Sequence, residues 1–191
     1  MQRAVFASED FVAAARDLAR TGGPGAITVA AVSGRMKAPT GSFYHRFPSR
    51  DALAGEVWLS LVLAFQVGFR AAADRGDWLG AALHVPAWSR ANPGDARLLL
   101  GHRREDFLQG AEWPPAFQER VRAQAAAVEE RFARFARDVL GGTDPDRLRR
   151  AQYVLADAPT AAVRPHLANG EAPPPVVDDL VRETFLAVAR R

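Results

Sequence analysis

The sequence contains no cysteine, which excludes disulfide cross-links, thiolate metal sites and cysteine nucleophiles together. This absence suits a reducing cytoplasm. Lysine is almost missing as well, because Lys37 is the single lysine among 25 basic residues and arginine supplies the others. The abundance of arginine and alanine indicates a GC-rich, bacterial genome.

Long uncharged apolar runs are also missing. No stretch approaches the roughly 18 uncharged apolar residues that a membrane span needs. The N-terminal stretch MQRAVFASED has an acidic pair where a signal peptide would have an apolar run. We therefore expect a cytoplasmic chain with no membrane partner. Its 48% of hydrophobic residues suffices for the core of one domain, or of a small domain joined to a larger one.

The alternation of polar and apolar residues that indicates strands is missing too, and Ala, Leu and Arg dominate. We predict an all-α fold of about nine helices. Residues 1–50 should form a small domain of three helices, and residues 51–191 a larger helical domain. A helix over about residues 49–73 should connect them, roughly 37 Å long at the usual rise per residue. Pro86, Pro159 and Pro165 are expected to kink or interrupt later helices.

Residues 39–50, PTGSFYHRFPSR, combine aromatic and basic side chains between two helical segments. Phe43 and Phe47 share one helical face and should hold a short helix against the core. Four bases and no acid lie between Ser33 and Arg50, a charge pattern typical of phosphate binding. Two short helices, a tight turn and a third short helix are the arrangement of a helix-turn-helix domain. In such a unit the helix after the turn, called the recognition helix, enters the major groove. The outward side chains that can reach phosphates or base edges are Ser42, Tyr44, His45 and Arg46.

Over about residues 8–60 the sequence resembles the N-terminal domain of the tetracycline-repressor (TetR) family. The stretch from Thr28 through Val57, with PTGSFYHRFPSRDAL at its centre, carries the resemblance. It implies an all-helical homodimer whose larger C-terminal domain binds a small ligand that releases operator DNA. The residues that we expect to contact double-stranded DNA are Thr28, Lys37, Thr40, Ser42, Tyr44, His45, Arg46, Ser49 and Arg50.

The resemblance implies different roles within this set. Thr28, Tyr44 and Arg50 match phosphate-contacting positions. The positions that reach bases or backbone are Thr40, Ser42, His45 and Arg46. Lys37 departs from the family, which usually has glycine there in a left-handed conformation. Either Lys37 adopts that conformation at some strain and gains a phosphate contact, or the turn differs.

The second half of the chain is rich in aromatic residues, and we hypothesise that some of them line a cavity for an apolar or aromatic effector. The candidate ligand-binding residues are Phe65, Phe69, Trp88, His102, Phe107, Trp113, Phe117 and Tyr153. A symmetric dimer needs a self-complementary apolar face. The candidates for that face are Leu148, Leu155, Val177, Leu180, Val181, Thr184, Phe185 and Val188.

Two alternatives remain. One is a DNA-binding protein without an effector, and the other is a small helical enzyme. The four histidines are scattered without the HExxH or a comparable metal-ligand spacing. No G-x-S-x-G nucleophile motif occurs either. We therefore expect a regulator that is not an enzyme and that has no cofactor or metal.

Overall fold

A computed structural model describes residues 6–108 and 113–189. Within these ranges the chain is helical and contains no strand, as predicted. The helices are α1 (Ser8–Gly22), α2 (Val29–Met36), α3 (Thr40–Tyr44), α4 (Arg50–Asp74), α5 (Trp78–Ala91), α6 (Pro93–Gly101), α7 (Arg104–Phe107), α8 (Pro115–Leu140), α9 (Pro145–Gln152), α10 (Ala158–Ala168) and α11 (Val176–Ala189). A 3₁₀ turn over Pro24–Ala26 joins α1 to α2, and a π-helical turn over Tyr153–Asp157 joins α9 to α10.

The described residues form eleven α-helical segments, where the sequence predicted about nine helices. One expected helix is divided because His102 takes an extended backbone, with φ −110° and ψ 157°, and ends α6 before the single turn of α7. Another is divided by the π-helical turn, although the chain stays helical from α9 through α10. The prediction of an all-α architecture is confirmed.

The predicted breaks at Pro86 and Pro165 are wrong. Pro86 lies inside α5, and Pro165 lies inside α10, without ending either helix. Pro159 is the second residue of α10, and the regular α-helical pattern changes shortly before it, in the π-helical turn. Proline lacks the N–H that the carbonyl four residues earlier would accept. The wider π-helical turn lies at that point, so the chain changes its hydrogen-bond pattern there and remains helical.

Two hydrophobic cores organise the molecule. The N-terminal core joins α1, α2 and α3 to the first half of α4, and it also receives Leu98 from α6 and Phe107 from α7. The C-terminal core is built from the second half of α4 together with α5, the end of α8, α9 to α10, and α11. Because α4 contributes to both cores, a rigid element of 25 residues links the helix-turn-helix to the rest of the chain.

Helix α4 is also long and apolar enough to cross a membrane, judged by length and composition alone. The uncharged run within α4 is shorter than a membrane span needs, because Glu56 and Arg70 bound it. Apolar side chains of α4 such as Leu53, Leu61 and Phe69 are buried in the two cores. Its hydropathy therefore reflects the central place of α4 in the helical packing.

Candidate DNA interface and interdomain groove

Three phenylalanine rings hold the short helix α3 in place. The ring centroid of Phe11 lies 5.9 Å from that of Phe43 and 6.0 Å from that of Phe47, both in edge-to-face geometry. Phe43 is fully buried and Phe47 nearly so. A helix of five residues has little stability of its own, so this packing determines its position. The predicted anchoring role of Phe43 and Phe47 is confirmed.

The turn between α2 and α3 follows from two local features. Thr28 begins α2 as its cap, and its Oγ1 accepts the Ala31 N–H at 3.1 Å. Lys37 ends α2 in the left-handed conformation, with φ 52° and ψ 35°. It is the only non-glycine residue with positive φ among the described residues. Of the two alternatives for the turn, the structure has the strained one.

Polar side chains cover the outer face of this unit. Tyr44 is 58% exposed, and its ring stacks edge-to-face on Phe43 at 5.2 Å. His45 follows it and is also exposed. Three more of the predicted DNA-contacting residues are exposed, namely Thr28, Lys37 and Thr40. The structure therefore brings a phenol, an imidazole, an ammonium and two hydroxyl groups to the solvent side of α2 and α3.

The other predicted contact residues make intramolecular bonds. The Arg46 Nε donates to the Phe6 carbonyl, and the side chain is half-buried. Arg50 donates from Nε to the Ile27 carbonyl at 2.8 Å and from Nη2 to the Pro24 carbonyl at 2.7 Å. Arg50 therefore fastens the start of α4 to the loop before α2, a role that the sequence did not indicate.

Two hydroxyl residues are less exposed than predicted. The Ser49 Oγ accepts the Ala52 N–H at 3.1 Å and so caps α4. Ser42 is half-buried on α3. Capping explains the position of Ser49 without a nucleic acid, because the hydroxyl satisfies one of the free N–H groups at a helix start.

Residues 11–57 match the family model described as bacterial regulatory proteins, tetR family. This range contains α2, α3 and the exposed polar face. Residues 11–57 are therefore a TetR-type helix-turn-helix domain. The fold of the chain is similar to that of a transcriptional regulator from Rhodococcus sp. Rha1, known from a crystal structure, with a TM-score of 0.69 and 17% identity over 97% of each chain. The comparison with curated proteins gives no significant sequence match.

The residues predicted to line an effector cavity of the regulator do not lie together. Phe65, Phe69 and Trp88 pack in the C-terminal core. The Phe65 ring lies 5.3 Å from the Trp88 ring and 5.0 Å from that of His84. The His84 Nε2 also makes a hydrogen bond of 2.7 Å with the Phe65 carbonyl. These side chains fill the space between α4 and α5.

The remaining candidates are divided among three places. Phe107 is buried in the N-terminal core, and its ring meets that of His102 at 6.4 Å. Tyr153 is 47% exposed on the outer side of the π-helical turn. Trp113 and Phe117 stand next to each other at the start of α8, with ring centroids 4.8 Å apart. The prediction of one shared aromatic cavity is therefore corrected, because helical spacing does not distinguish core aromatics from cavity aromatics.

A cavity of about 870 Å³ instead lies where the helix-turn-helix meets the rest of the chain. We call it the interdomain groove. Its walls come from α1, the loop between α3 and α4, one face of α4, the junction of α5 with α6, and the start of α8. Trp113 and Phe117 are the two predicted ligand-binding residues that line it.

A buried carboxylate lies at one side of the groove. Asp95 on α6 is 4% exposed and accepts four hydrogen bonds, two from Arg16 and two from Arg20 on α1, at 2.8 to 3.0 Å. Burial alone would raise the pKa of Asp95, but the bonds and charges of the two arginines outweigh it and lower the pKa to about 2. The sequence analysis missed this cluster, because its members are 75 and 79 residues apart.

The predicted dimer residues separate into three groups by their exposure. Leu155, Val177, Val181 and Phe185 are buried in the C-terminal core, so they cannot contact a second subunit. Leu180 is 51% exposed on α11. The half-buried members are Leu148, Thr184 and Val188. An apolar stripe that faces its own core has the same period as one that faces a partner, and the sequence alone could not separate them.

Proposed function

We propose that this TetR-type regulator represses transcription by binding a palindromic operator as a homodimer, and that a small effector releases it. The proposal places it in the bacterial cytoplasm, where its DNA is. The observation that carries it is the exposed polar face of α2 and α3, held by Phe43 and Phe47 on the buried Phe11 ring. This face lies within the residues that match the family model.

The proposed roles follow from exposure and chemistry. Tyr44, Lys37 and Thr28 are placed on phosphates, which position a protein on DNA without reading its sequence. His45 and Thr40 are placed at base edges in the major groove, where imidazole and hydroxyl groups find donors and acceptors. We give Arg46 and Arg50 a smaller part, because intramolecular acceptors already hold them.

The proposed dimer face lies on α11 and the π-helical turn, which pack against each other. Three large apolar side chains are exposed there, Tyr153, Val176 and Leu180. Exposed apolar residues from two adjacent elements are typical of a subunit interface. Two recognition helices of such a dimer would read half-sites about 34–36 Å apart, or a multiple of that distance.

Selection of bound fragments from random double-stranded DNA tests the function directly. We expect the enriched fragments to share an inverted repeat, and binding to weaken steeply with salt because phosphate contacts release counterions. Tyr44→Ala protein serves as the matched control and should enrich little. Fragments without any shared site, bound equally well at high and low salt, would contradict the proposal.

A further inference from the structure

The interdomain groove has the dimensions and the position of a ligand site. Its volume of about 870 Å³ lies within the range of roughly 300–1,000 Å³ typical of small-molecule pockets. It reaches from Phe47, next to the recognition helix, to Phe117 on α8. A molecule in the groove would therefore touch the DNA-reading unit and the remainder of the regulator at the same time.

Apolar and aromatic side chains form much of its surface. Val12 lines the groove from α1, Leu63 from α4, and Phe47 from the loop between α3 and α4. The Trp113 and Phe117 rings are tilted by only 30° from parallel. Trp113 packs so closely on Gly55 that a Cβ at this position would lie 2.3 Å from the indole ring. This close packing fixes the position of an aromatic surface beside the groove.

The acidic groups of the groove are already neutralised, with one exception. Asp95 accepts four arginine hydrogen bonds, and Asp17 accepts one each from Arg20 and Arg35. The Glu56 Oε1 on α4 accepts a hydrogen bond of 2.7 Å from the Arg120 Nη1 on α8. Glu9 is exposed, at the beginning of α1. The interior of the groove therefore presents little uncompensated negative charge.

Two half-buried arginines of the groove retain donors for a ligand, and so does the exposed Arg120, which uses only Nη1 for Glu56. Among the described residues, Arg46 donates one hydrogen bond, from its Nε to the Phe6 carbonyl, and both of its Nη groups stay available. Arg16 uses Nε and Nη2 for Asp95, and its Nη1 has no recorded acceptor in the same part of the chain. Both side chains line the groove and are half-buried. A guanidinium edge in such a place favours a carboxylate or sulfonate.

We propose that the interdomain groove binds an amphipathic organic anion, with its acid group on Arg46 and its apolar body along Phe47, Trp113 and Phe117. This assigns the site and chemical class of the effector, so it rests on the proposed function. The expected effector changes accordingly from an apolar molecule to an acidic one. Because Arg46 and Phe47 lie in the loop between α3 and α4, a ligand that fits one arrangement of α1, α3 and α8 better than another shifts the regulator toward it.

Two fluorescent probes test the chemical class. Anilinonaphthalene sulfonate carries the acid and the aromatic body, and N-phenyl-naphthylamine has a closely related body without the acid. We expect the purified full-length regulator to bind the sulfonate at least tenfold more tightly than the neutral amine. Equal affinities, or no binding of the sulfonate, would overturn the assignment of an anionic ligand.

Matched variants test the place. Arg46→Gln should weaken sulfonate binding at least tenfold and change binding of the neutral amine less than twofold, whereas Arg137→Gln, an exposed arginine on α8, should change neither. Ala13→Phe should block both probes by filling the groove. Ala125→Phe on the exposed side of α8 is its control. Sulfonate binding that survives both Arg46→Gln and Ala13→Phe would overturn the site.

Hydrogen exchange of the unmodified protein provides a test that does not depend on variants. The sulfonate should slow exchange at the start of α8 and in α1, and protection confined to α9 to α11 would overturn the inference. Binding of selected DNA without any probe separates this inference from the proposed function. A regulator that binds DNA but not the sulfonate refutes the groove ligand alone, and one that binds the sulfonate in the groove but no DNA refutes the function.

Discussion

Lys37 adopts the left-handed conformation in the turn between α2 and α3, with φ 52°. This conformation costs an L-residue with a side chain about 1–2 kcal/mol. Strain of this kind persists at functional sites, where the side chain contributes something that glycine cannot. For Lys37 the proposed contribution is a phosphate contact.

Lys37→Gly should therefore raise the free energy of unfolding by about 1 kcal/mol and weaken DNA binding. The slope of log affinity against log salt should fall by about one unit, because one phosphate contact is lost. Urea unfolding and salt titrations measure the two effects. Lys37→Ala is the control, since it loses the ammonium group but keeps the strain. A glycine variant that binds DNA as well as the parent would contradict the contact.

Tyr44 presents its hydroxyl group on an exposed ring that rests on Phe43. Tyr44→Phe keeps the ring and removes only the hydroxyl. We expect it to weaken binding of the selected operator and of random duplex DNA by the same factor, several-fold, because a phosphate contact carries no sequence information. Fluorescence anisotropy with both duplexes measures this. A loss of affinity confined to the operator would indicate that Tyr44 contacts a base and not the DNA backbone.

His45 differs from Tyr44 in the proposed role. Its imidazole is exposed on the same face, and we place it at base edges. The sequence identified both residues, because a short helix with two buried phenylalanines leaves few other directions for its polar side chains. It could not identify the bonds of Arg46 and Arg50, whose acceptors are backbone carbonyls 40 and 23 residues away.

Between elements, the cluster of Asp95 with Arg16 and Arg20 connects α6 to α1. The pKa of Asp95 is lowered from its ordinary value of 3.8 to about 2. This shift corresponds to about 2 kcal/mol of stability. Because the folded-state pKa is depressed, this stability is present above pH 3.8 and is lost as the pH falls through about 2.

Asp95→Asn should lower the free energy of unfolding at pH 7 by about 2 kcal/mol. The difference from the parent should shrink as the pH falls from about 5 to 2. Urea unfolding at several pH values measures it. Asp138→Asn, at an exposed position of α8, serves as the control. A difference independent of pH would show that the ionised carboxylate is not the stabilising group.

Helices α4 and α5 are in contact at Gly68. The His84 ring of α5 occupies the space that a side chain on Gly68 would fill. A Cβ on Gly68 would lie 2.3 Å from the ring. Gly→Ala inside a helix usually stabilises by roughly 0.5–1 kcal/mol. At Gly68 we expect the same substitution to destabilise the protein, because the His84 ring or the helix must move to make room for the Cβ.

Gly68→Ala should therefore lower the unfolding midpoint in urea, by an amount equivalent to about 1–3 kcal/mol. Gly34→Ala in α2 is the matched control, since a Cβ there meets nothing within 4 Å, and it should stabilise. The double variant Gly68→Ala with His84→Ala should recover part of the loss. Stabilisation by Gly68→Ala alone would contradict the close packing of His84.

For the molecule as a whole, the proposed dimer needs an apolar surface that meets a second subunit. Leu180→Arg should convert the proposed dimer to a monomer, because a charge at a desolvated interface is costly. Light scattering after gel filtration should show the mass halved, and operator affinity should fall with it. Val67→Arg is the control, a 70% exposed residue on α4 outside the proposed face. A dimer that survives Leu180→Arg would place the interface elsewhere.

The sequence by itself determined the all-α fold, the helix-turn-helix and the outward direction of Tyr44 and His45. These depend on local periodicity, on caps such as Thr28 and on the spacing of Phe43 and Phe47, and neighbouring residues are enough to specify them. The tertiary structure alone decided which apolar faces are internal, such as that of Phe185, and which stay exposed, such as that of Leu180. It also decided where a cavity remains and which arginines are engaged, as at Asp95. Those outcomes depend on contacts between residues far apart in the chain, and the period of a helix contains no information about them.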